Sequence, residues 1–218
     1  MSHTTFVAIR HGSTHYNRQG WVQGQLDIPL DEEGVGQALA LRPHLEAYAH
    51  CPAYSSDLER AQRTATLALS HGEITLLTEL RERDFGTWQG GPYPPTERNH
   101  PDALTRDIHH RPGGGESYHQ LWLRGIHVFQ HLAQRHPDET VLIFSHGGLL
   151  RSVISWALGL SEEGIGRFAV DNTGISIICL DRGIPRVQLL NDTGHLRKRG
   201  RKDLPGRGEK SPSIGRGN

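Results

Sequence analysis

The stretch Thr140-Val141-Leu142-Ile143-Phe144-Ser145-His146-Gly147-Gly148 decides the fold class. Its first five residues are uncharged and mostly bulky and apolar, which predicts a strand buried on both faces. Gly147 to Leu158 then predicts a helix that starts as soon as the strand stops. A strand passing directly into a helix is the building unit of a parallel sheet. On its upstream side, Glu116 to Arg135 carries Tyr118, Leu121, Gly125, Val128 and Leu132 at steps of three and four. That spacing predicts an amphipathic helix.

The same alternation extends outward in both directions. Thr5-Phe6-Val7-Ala8-Ile9 is a short apolar run that ends at Arg10, and it predicts a second buried strand. Asp31 to Tyr48 predicts a helix with Asp31 as N-cap and Leu39, Leu41 and Leu45 as apolar surface, interrupted in its second half by Pro43. Ala53-Tyr54-Ser55 predicts a strand. Ser56-Asp57-Leu58-Glu59 reads as a capping box opening a helix with Leu58, Ala61, Ala65 and Ala68 on one face. Ile74 to Leu77, Ile175 to Leu180 and Val187 to Leu190 predict further strands. Residues 84 to 115, rich in Gly, Pro and His, predict an irregular excursion with one short helix. The order predicts an α/β three-layer sandwich, a mostly parallel central sheet with helices on both faces.

Composition bounds what such a chain can be. A length of 218 residues suits one large α/β domain, expected over residues 1–196. The 24 basic and 24 acidic residues cancel, so no global field draws nucleic acid or membrane. Residues 197–218 are the exception, with eight basic against two acidic side chains and little apolar surface. They are expected to form a disordered basic tail. Without interleaved aromatic residues the tail gives no reason to expect a nucleic-acid partner. Two cysteines, Cys51 and Cys179, exclude a disulfide framework and read as inert thiols. No apolar run approaches the ~20 residues that span a bilayer, so a soluble, cytoplasmic protein is expected.

Ligands of parallel α/β sheets sit at the carboxyl ends of the strands. There the first strand delivers Arg10-His11-Gly12 and the 140–144 strand delivers Ser145-His146-Gly147-Gly148. Arg60 lies about one turn into the helix after the 53–55 strand, and the segment after Leu77 supplies Glu79 and Glu82. Two guanidinium forks match phosphate oxygens, and the helix start near Gly147 adds its positive end. Neighbouring cations favour neutral imidazole, and a carboxylate can give a proton to a leaving alkoxide and later take one from water. The set suits phosphoryl transfer through a phosphohistidine, with arginines in place of a metal and no cofactor.

These residues carry a resemblance. Arg10-His11-Gly12 with Thr14 and Asn17, Ser55-Ser56-Asp57-Leu58 with Arg60-Ala61, and Glu82 with Phe85-Gly86 and Trp88 follow in order. Pro112-Gly113-Gly114-Gly115-Glu116-Ser117 with Arg124, Ser145-His146-Gly147-Gly148 with Arg151, and Asn172-Thr173 follow them. The chain so resembles the histidine phosphatase superfamily, in its phosphoglycerate-mutase-like branch, over about Thr4 to Leu196. The resemblance implies that His11 is the nucleophile, that Arg10, Arg60, His146, Asn17 and the Gly147 backbone hold the phosphoryl group, and that Glu82 is the acid and then the base. Trp21, Gln23, Gly24 and Trp88 become candidates for the substrate mouth. Ser13, Trp21 and Gln89 depart from the residues common in the family. Trp21 removes a cation near the mouth, which weighs against a multiply anionic substrate.

The superfamily hosts phosphatases and mutases. A mutase must exclude water and hold a second phosphate, whereas the excursion between Gly90 and Glu116 is brief and its cations, Arg98, Arg106 and Arg111, are unpaired in sequence. Hydrolysis of a small phosphorylated metabolite is therefore favoured over a cofactor-dependent phosphoglycerate mutase. A non-catalytic phosphate-binding protein is disfavoured because nucleophile, arginines and acid are all present. A homodimer stays open. Arg124 and Arg151 read as ordinary surface or ion-paired residues, and Asn172 as a turn residue. Trp88 and Trp122 read as packing, and His127 with His131 as a solvated helix face rather than a metal pair.

Overall fold

The computed structural model describes residues 3–70, 72–93 and 107–197. Eleven regular elements follow in chain order: β1 (His3–Arg10), α1 (His15–Gln19), α2 (Glu32–Leu45), β2 (Ala53–Ser56), α3 (Glu59–Ala68), β3 (Ile74–Leu77), α4 (Tyr118–Arg135), β4 (Thr140–Ser145), α5 (Gly147–Ala157), β5 (Ile175–Asp181) and β6 (Ile184–Asp192). The six strands form one sheet in the order β3-β2-β4-β1-β5-β6. The first four are mutually parallel, and β5 and β6 close the sheet antiparallel. The mostly parallel α/β sandwich expected from the sequence is the fold observed.

Side-chain alternation along the central strands sorts the core into two layers. Phe6 and Ala8 of β1 and Val141 and Ile143 of β4 face α4 and α5, where Phe129, Leu132, Leu149 and Val153 meet them. Val7, Ile9, Leu142 and Phe144 face the opposite way, onto Leu41 and Leu45 of α2 and Ala65 and Ala68 of α3. Being covered on both sides is why β1 and β4 read as continuous apolar runs, whereas the edge strand β6 alternates in exposure. Among the described residues, no helix is long and apolar enough to cross a membrane.

Several local expectations need correction. The helix predicted from Asp31 to Tyr48 ends at Leu45 and passes into a 3₁₀ turn, Glu46–Tyr48. Asp31 does cap it, accepting from the Gly34 N–H at 2.8 Å, and the helix runs through Pro43. Leu39 is 43% exposed, so the buried stripe rests on Ala38, Leu41 and Leu45. The 56–59 capping box does not form. Ser56 Oγ accepts from the Leu58 N–H at 3.3 Å, while the Glu59 N–H donates to Asp27 Oδ1 at 2.7 Å, a partner from another loop. The helix predicted from Glu116 starts at Tyr118, behind a Ser117–Gln120 capping box. Helix α1, unanticipated, is held by a box between Thr14 and Asn17. The irregular reading of 84–115 holds where the chain is described, with 3₁₀ turns at Gly86–Trp88 and Pro112–Gly114. The expected basic tail lies outside the described residues from 198 onward.

Phe129 is fully buried and packs on Phe6 with ring centroids 4.8 Å apart, joining α4 to the sheet. Phe129→Ala should lower unfolding stability by about 3–5 kcal/mol, read as a reduced urea midpoint at unchanged slope.

Candidate active site

The parallel register of β1 and β4 pairs Ile9 with Phe144 and Arg10 with Ser145. The next residues of two adjacent strands are therefore His11 and His146. The His11 N–H extends the ladder to the Ser145 carbonyl at 2.9 Å. The two imidazole rings stand 5.1 Å apart, centroid to centroid. His11 Nδ1 lies 2.7 Å from the Gly12 carbonyl. A carbonyl can only accept, so Nδ1 carries the hydrogen and Nε2 keeps its lone pair. His146 is fully buried, N-terminal to α5, and neither of its ring nitrogens has a partner among the described residues.

Two arginines flank the rings. Arg60, fully buried on α3, gives Nη1 to the Leu26 carbonyl and Nη2 to the Gly24 carbonyl, both at 2.7 Å. Arg10 gives Nη1 to the Val170 carbonyl at 2.7 Å. The Nε of each is buried without a partner. Burial first pushes Arg10 and Arg60 down to about 10, so both remain cationic at neutral pH. Burial, followed by the charges of Arg60 and Arg10, holds His11 well below its ordinary value, and burial and Arg60 lead the same shift in His146. Both rings are neutral bases at pH 7 beside two cations. Buried donors with no acceptor are costly, and an anion would satisfy them together.

Glu82 closes the other side. Its Oε2 accepts from the Gly148 N–H at 3.0 Å and its Oε1 from the Arg83 N–H at 2.8 Å. A Cβ at residue 148 would stand 2.2 Å from Oε1, so only glycine lets the carboxylate reach the start of α5. Arg10, His11, Arg60, Glu82 and Gly147 line one cavity of about 140 Å³, with Trp21, Gln23 and Gly24 at its rim. His146 is not among the residues that line it.

Two expected contacts fall elsewhere. Asn17 does not line the cavity, since its Oδ1 is taken by the N–H and hydroxyl of Thr14 in the α1 capping box. Trp88 is also absent from the wall and packs near the His110 ring at 5.9 Å. Asn172 is a brace as well as a turn residue, donating to the His11 carbonyl at 2.9 Å. His127 and His131 lie exposed on α4. Cys51 and Cys179 are free thiols.

Two cations in the wall went unforeseen, Arg83 and Arg151. Arg151 was readable in principle, because it follows Gly147 by four residues and so shares its helix face. Arg83 sits 3.8 Å from the Tyr118 ring centroid and 5.1 Å from that of Phe85, with a buried Nη1 that lacks a partner. No spacing rule within an irregular segment points to it. Together they outweigh the cation that Trp21 lacks, which corrects the expectation of a mouth poor in positive charge.

Residues 6–193 match the model of the histidine phosphatase superfamily (branch 1). The chain belongs to that superfamily. It is similar to a phosphoglycerate mutase-like protein of Arabidopsis thaliana, 32% identical over 92% of this chain and 90% of the relative. A metal-independent phosphoserine phosphatase of the same plant is 35% identical over 69% of this chain and 67% of its own length. Among solved structures, a mutant phosphoserine phosphatase of Entamoeba histolytica in complex with phosphoserine superposes with a TM-score of 0.80 at 26% identity, covering 89% of this chain and all of that one. This histidine phosphatase is an enzyme of the phosphatase type, and the mutase reading is not favoured by its relatives.

With both rings held neutral by burial and cations, neither should take up a proton near the ordinary histidine value of 6.5. An unfolded chain does protonate there, so stability conferred by the neutral rings is lost as pH falls below about 6.5. In an NMR titration, the Cε1–H signals of His11 and His146 should stay constant from pH 8 through 6.5, whereas in the urea-unfolded chain they move. Movement of either signal in the folded protein with a midpoint near 6.5 would contradict the electrostatic account.

Proposed function

We propose that this histidine phosphatase hydrolyses small phosphomonoesters bearing a second negative group, through a phosphohistidine on His11 and without a metal. The observation that carries the reading is His11, with Nε2 left as its lone-pair nitrogen, lining one cavity with Arg10 and Arg60, whose buried Nε groups have no partner among the described residues. The Nε2 lone pair attacks phosphorus, and the bond from phosphorus to the ester oxygen breaks. Glu82 gives its proton to the departing alkoxide. The non-bridging oxygens rest on Arg10, Arg60 and the backbone N–H groups that open α5, donors already in place where charge builds up, while His146 stands beside the His11 ring. Glu82, now a carboxylate, takes a proton from water as the water oxygen attacks phosphorus. The P–N bond breaks, phosphate forms, and His11 is again neutral. Asn17 serves by bracing the loop rather than by touching phosphate.

Arg83 and Arg151 support the narrower substrate class. They lie in the same cavity as the phosphoryl clamp and offer charged donors to a carboxylate on the alcohol half of the substrate, Arg83 through Nη1, since its Nε and Nη2 are spent on the Glu116 and His110 carbonyls. Relatives named for phosphoserine fit this chemistry.

In excess chelator the protein should hydrolyse p-nitrophenyl phosphate, and His11→Ala should reduce turnover by about 10³-fold or more. Retained activity in that variant, or full dependence on added metal, would overturn the mechanism. Arg151→Ala should raise KM for phosphoserine roughly tenfold and leave KM for p-nitrophenyl phosphate within about twofold, as expected for one lost charged hydrogen bond. Equal changes for both substrates would remove Arg151 from carboxylate recognition.

A further inference from the structure

We propose that Arg124 is a positioning residue for the general acid: it ties down the turn that carries Glu82 and so sets where the proton donor stands, resting on the reading of Glu82 as acid and base. Glu82 lies in a stretch, Arg81 to Phe85, that has no regular secondary structure. Such a stretch must find partners for its peptide groups outside helix or sheet. Arg124, on the flank of α4, supplies them. Its Nη1 donates to the carbonyls of Glu79 at 2.7 Å and Arg81 at 2.8 Å, and its Nη2 to that of Glu82 at 3.3 Å.

The guanidinium is itself held flat. Its Nε and Nη2 meet Glu116 Oε1 and Oε2 at 2.9 and 2.8 Å, a bidentate pair only about a fifth exposed on the arginine side. Glu116 in turn grips the far end of the turn, its N–H donating to the Asp84 carbonyl at 2.7 Å. Here the backbones touch, since a Cβ on Gly115 would stand 2.3 Å from the Asp84 oxygen. Glu82 is thus bracketed on both sides by one ion pair, and its carboxylate projects toward the Gly148 N–H. Arg124 is not in the cavity wall, so it touches no substrate. The fixed fork is what the arrangement needs, because an ammonium cannot span three carbonyls and a carboxylate in one plane.

A displaced acid has a signature that a general loss of structure lacks. Proton donation matters for an alkyl phosphate, whose alkoxide is a poor leaving group, and matters little for p-nitrophenyl phosphate. The experiment measures kcat/KM, which reports steps through phosphoryl transfer to His11, for phosphoserine and p-nitrophenyl phosphate. It compares wild type, Glu82→Gln, Arg124→Ala and Arg124→Lys, with vanadate inhibition as a gauge of the phosphate clamp. Arg124→Ala should lower kcat/KM for phosphoserine roughly 10- to 100-fold, change that for p-nitrophenyl phosphate by less than about threefold, and leave vanadate inhibition intact. Arg124→Lys, which keeps the charge, should restore only part of the loss.

Glu82→Gln separates the two claims. If it shows no dependence on leaving group, the reading of Glu82 as acid fails. If it does show that dependence and neither Arg124 variant does, positioning by Arg124 fails alone. A parallel fall in both substrates and in vanadate affinity for both Arg124 variants would mean a purely structural role, which also overturns the proposal. Arg124→Lys keeps the test available should the alanine variant not fold.

Discussion

The arrangement at the strand ends depends on one constraint, the register in which β1 lies parallel to β4. With Arg10 opposite Ser145, the two residues that leave the sheet next are both histidines, and they leave at the same edge. In a sheet buried on both faces that register is strongly specified. A slip of one residue would turn Phe6 and Ala8, or Val141 and Ile143, away from the α4–α5 layer and into the wrong half of the core. Packing chemistry far from the site thus determines the distance between two imidazoles.

What gathers around those rings is positive charge without an opposing charge in contact. Arg10 and Arg60 spend some of their donors on the backbone carbonyls of Val170, Leu26 and Gly24, which holds the guanidiniums in place while leaving each Nε uncommitted. Bringing two cations into a buried site costs free energy that these carbonyls offset only in part. The remainder favours an anion, and the same charges add to burial, the larger cause, in keeping His11 and His146 unprotonated. In the proposed mechanism one buried, cationic site therefore does two things: it attracts the phosphoryl group and leaves a lone pair to attack it. Because the donors are oriented before substrate arrives, little reorganisation remains for the transition state.

How far this could be read from the chain depends on how local the determinant was. Strands β1 and β4 and helix α4 were legible because the period of their apolar residues is itself the signal of burial. The edge-of-sheet rule then brought Arg10, His11, Arg60, Glu82 and His146 into one neighbourhood. Failures came where a partner lies far away in sequence. The Glu59 N–H finds Asp27 instead of Ser56, so a convincing local box is not used. Asn17 is drawn into capping α1, and Trp88 turns toward His110. Arg124 looked like a helix-surface residue because the three carbonyls it binds belong to a turn about 40 residues upstream.

These differences follow a division built into the fold. The groups proposed to face phosphate come from strand ends and the first turns of α3 and α5, where backbone position is set by the sheet. The proposed acid, Glu82, and one of the two further cations, Arg83, come from the turn after β3, whose shape is set by side chains, and the other, Arg151, comes from α5. Arg83 stacks on Tyr118, Glu82 reaches the Gly148 N–H, and the Arg124–Glu116 pair holds the turn between them. Substitutions in that turn can move the acid or reshape the mouth while the phosphate end stays as the sheet made it. In the proposed mechanism phosphoryl chemistry is accordingly the property of the scaffold, leaving-group handling belongs to one short segment laid against α4, and substrate choice is divided between that segment and Arg151 of α5.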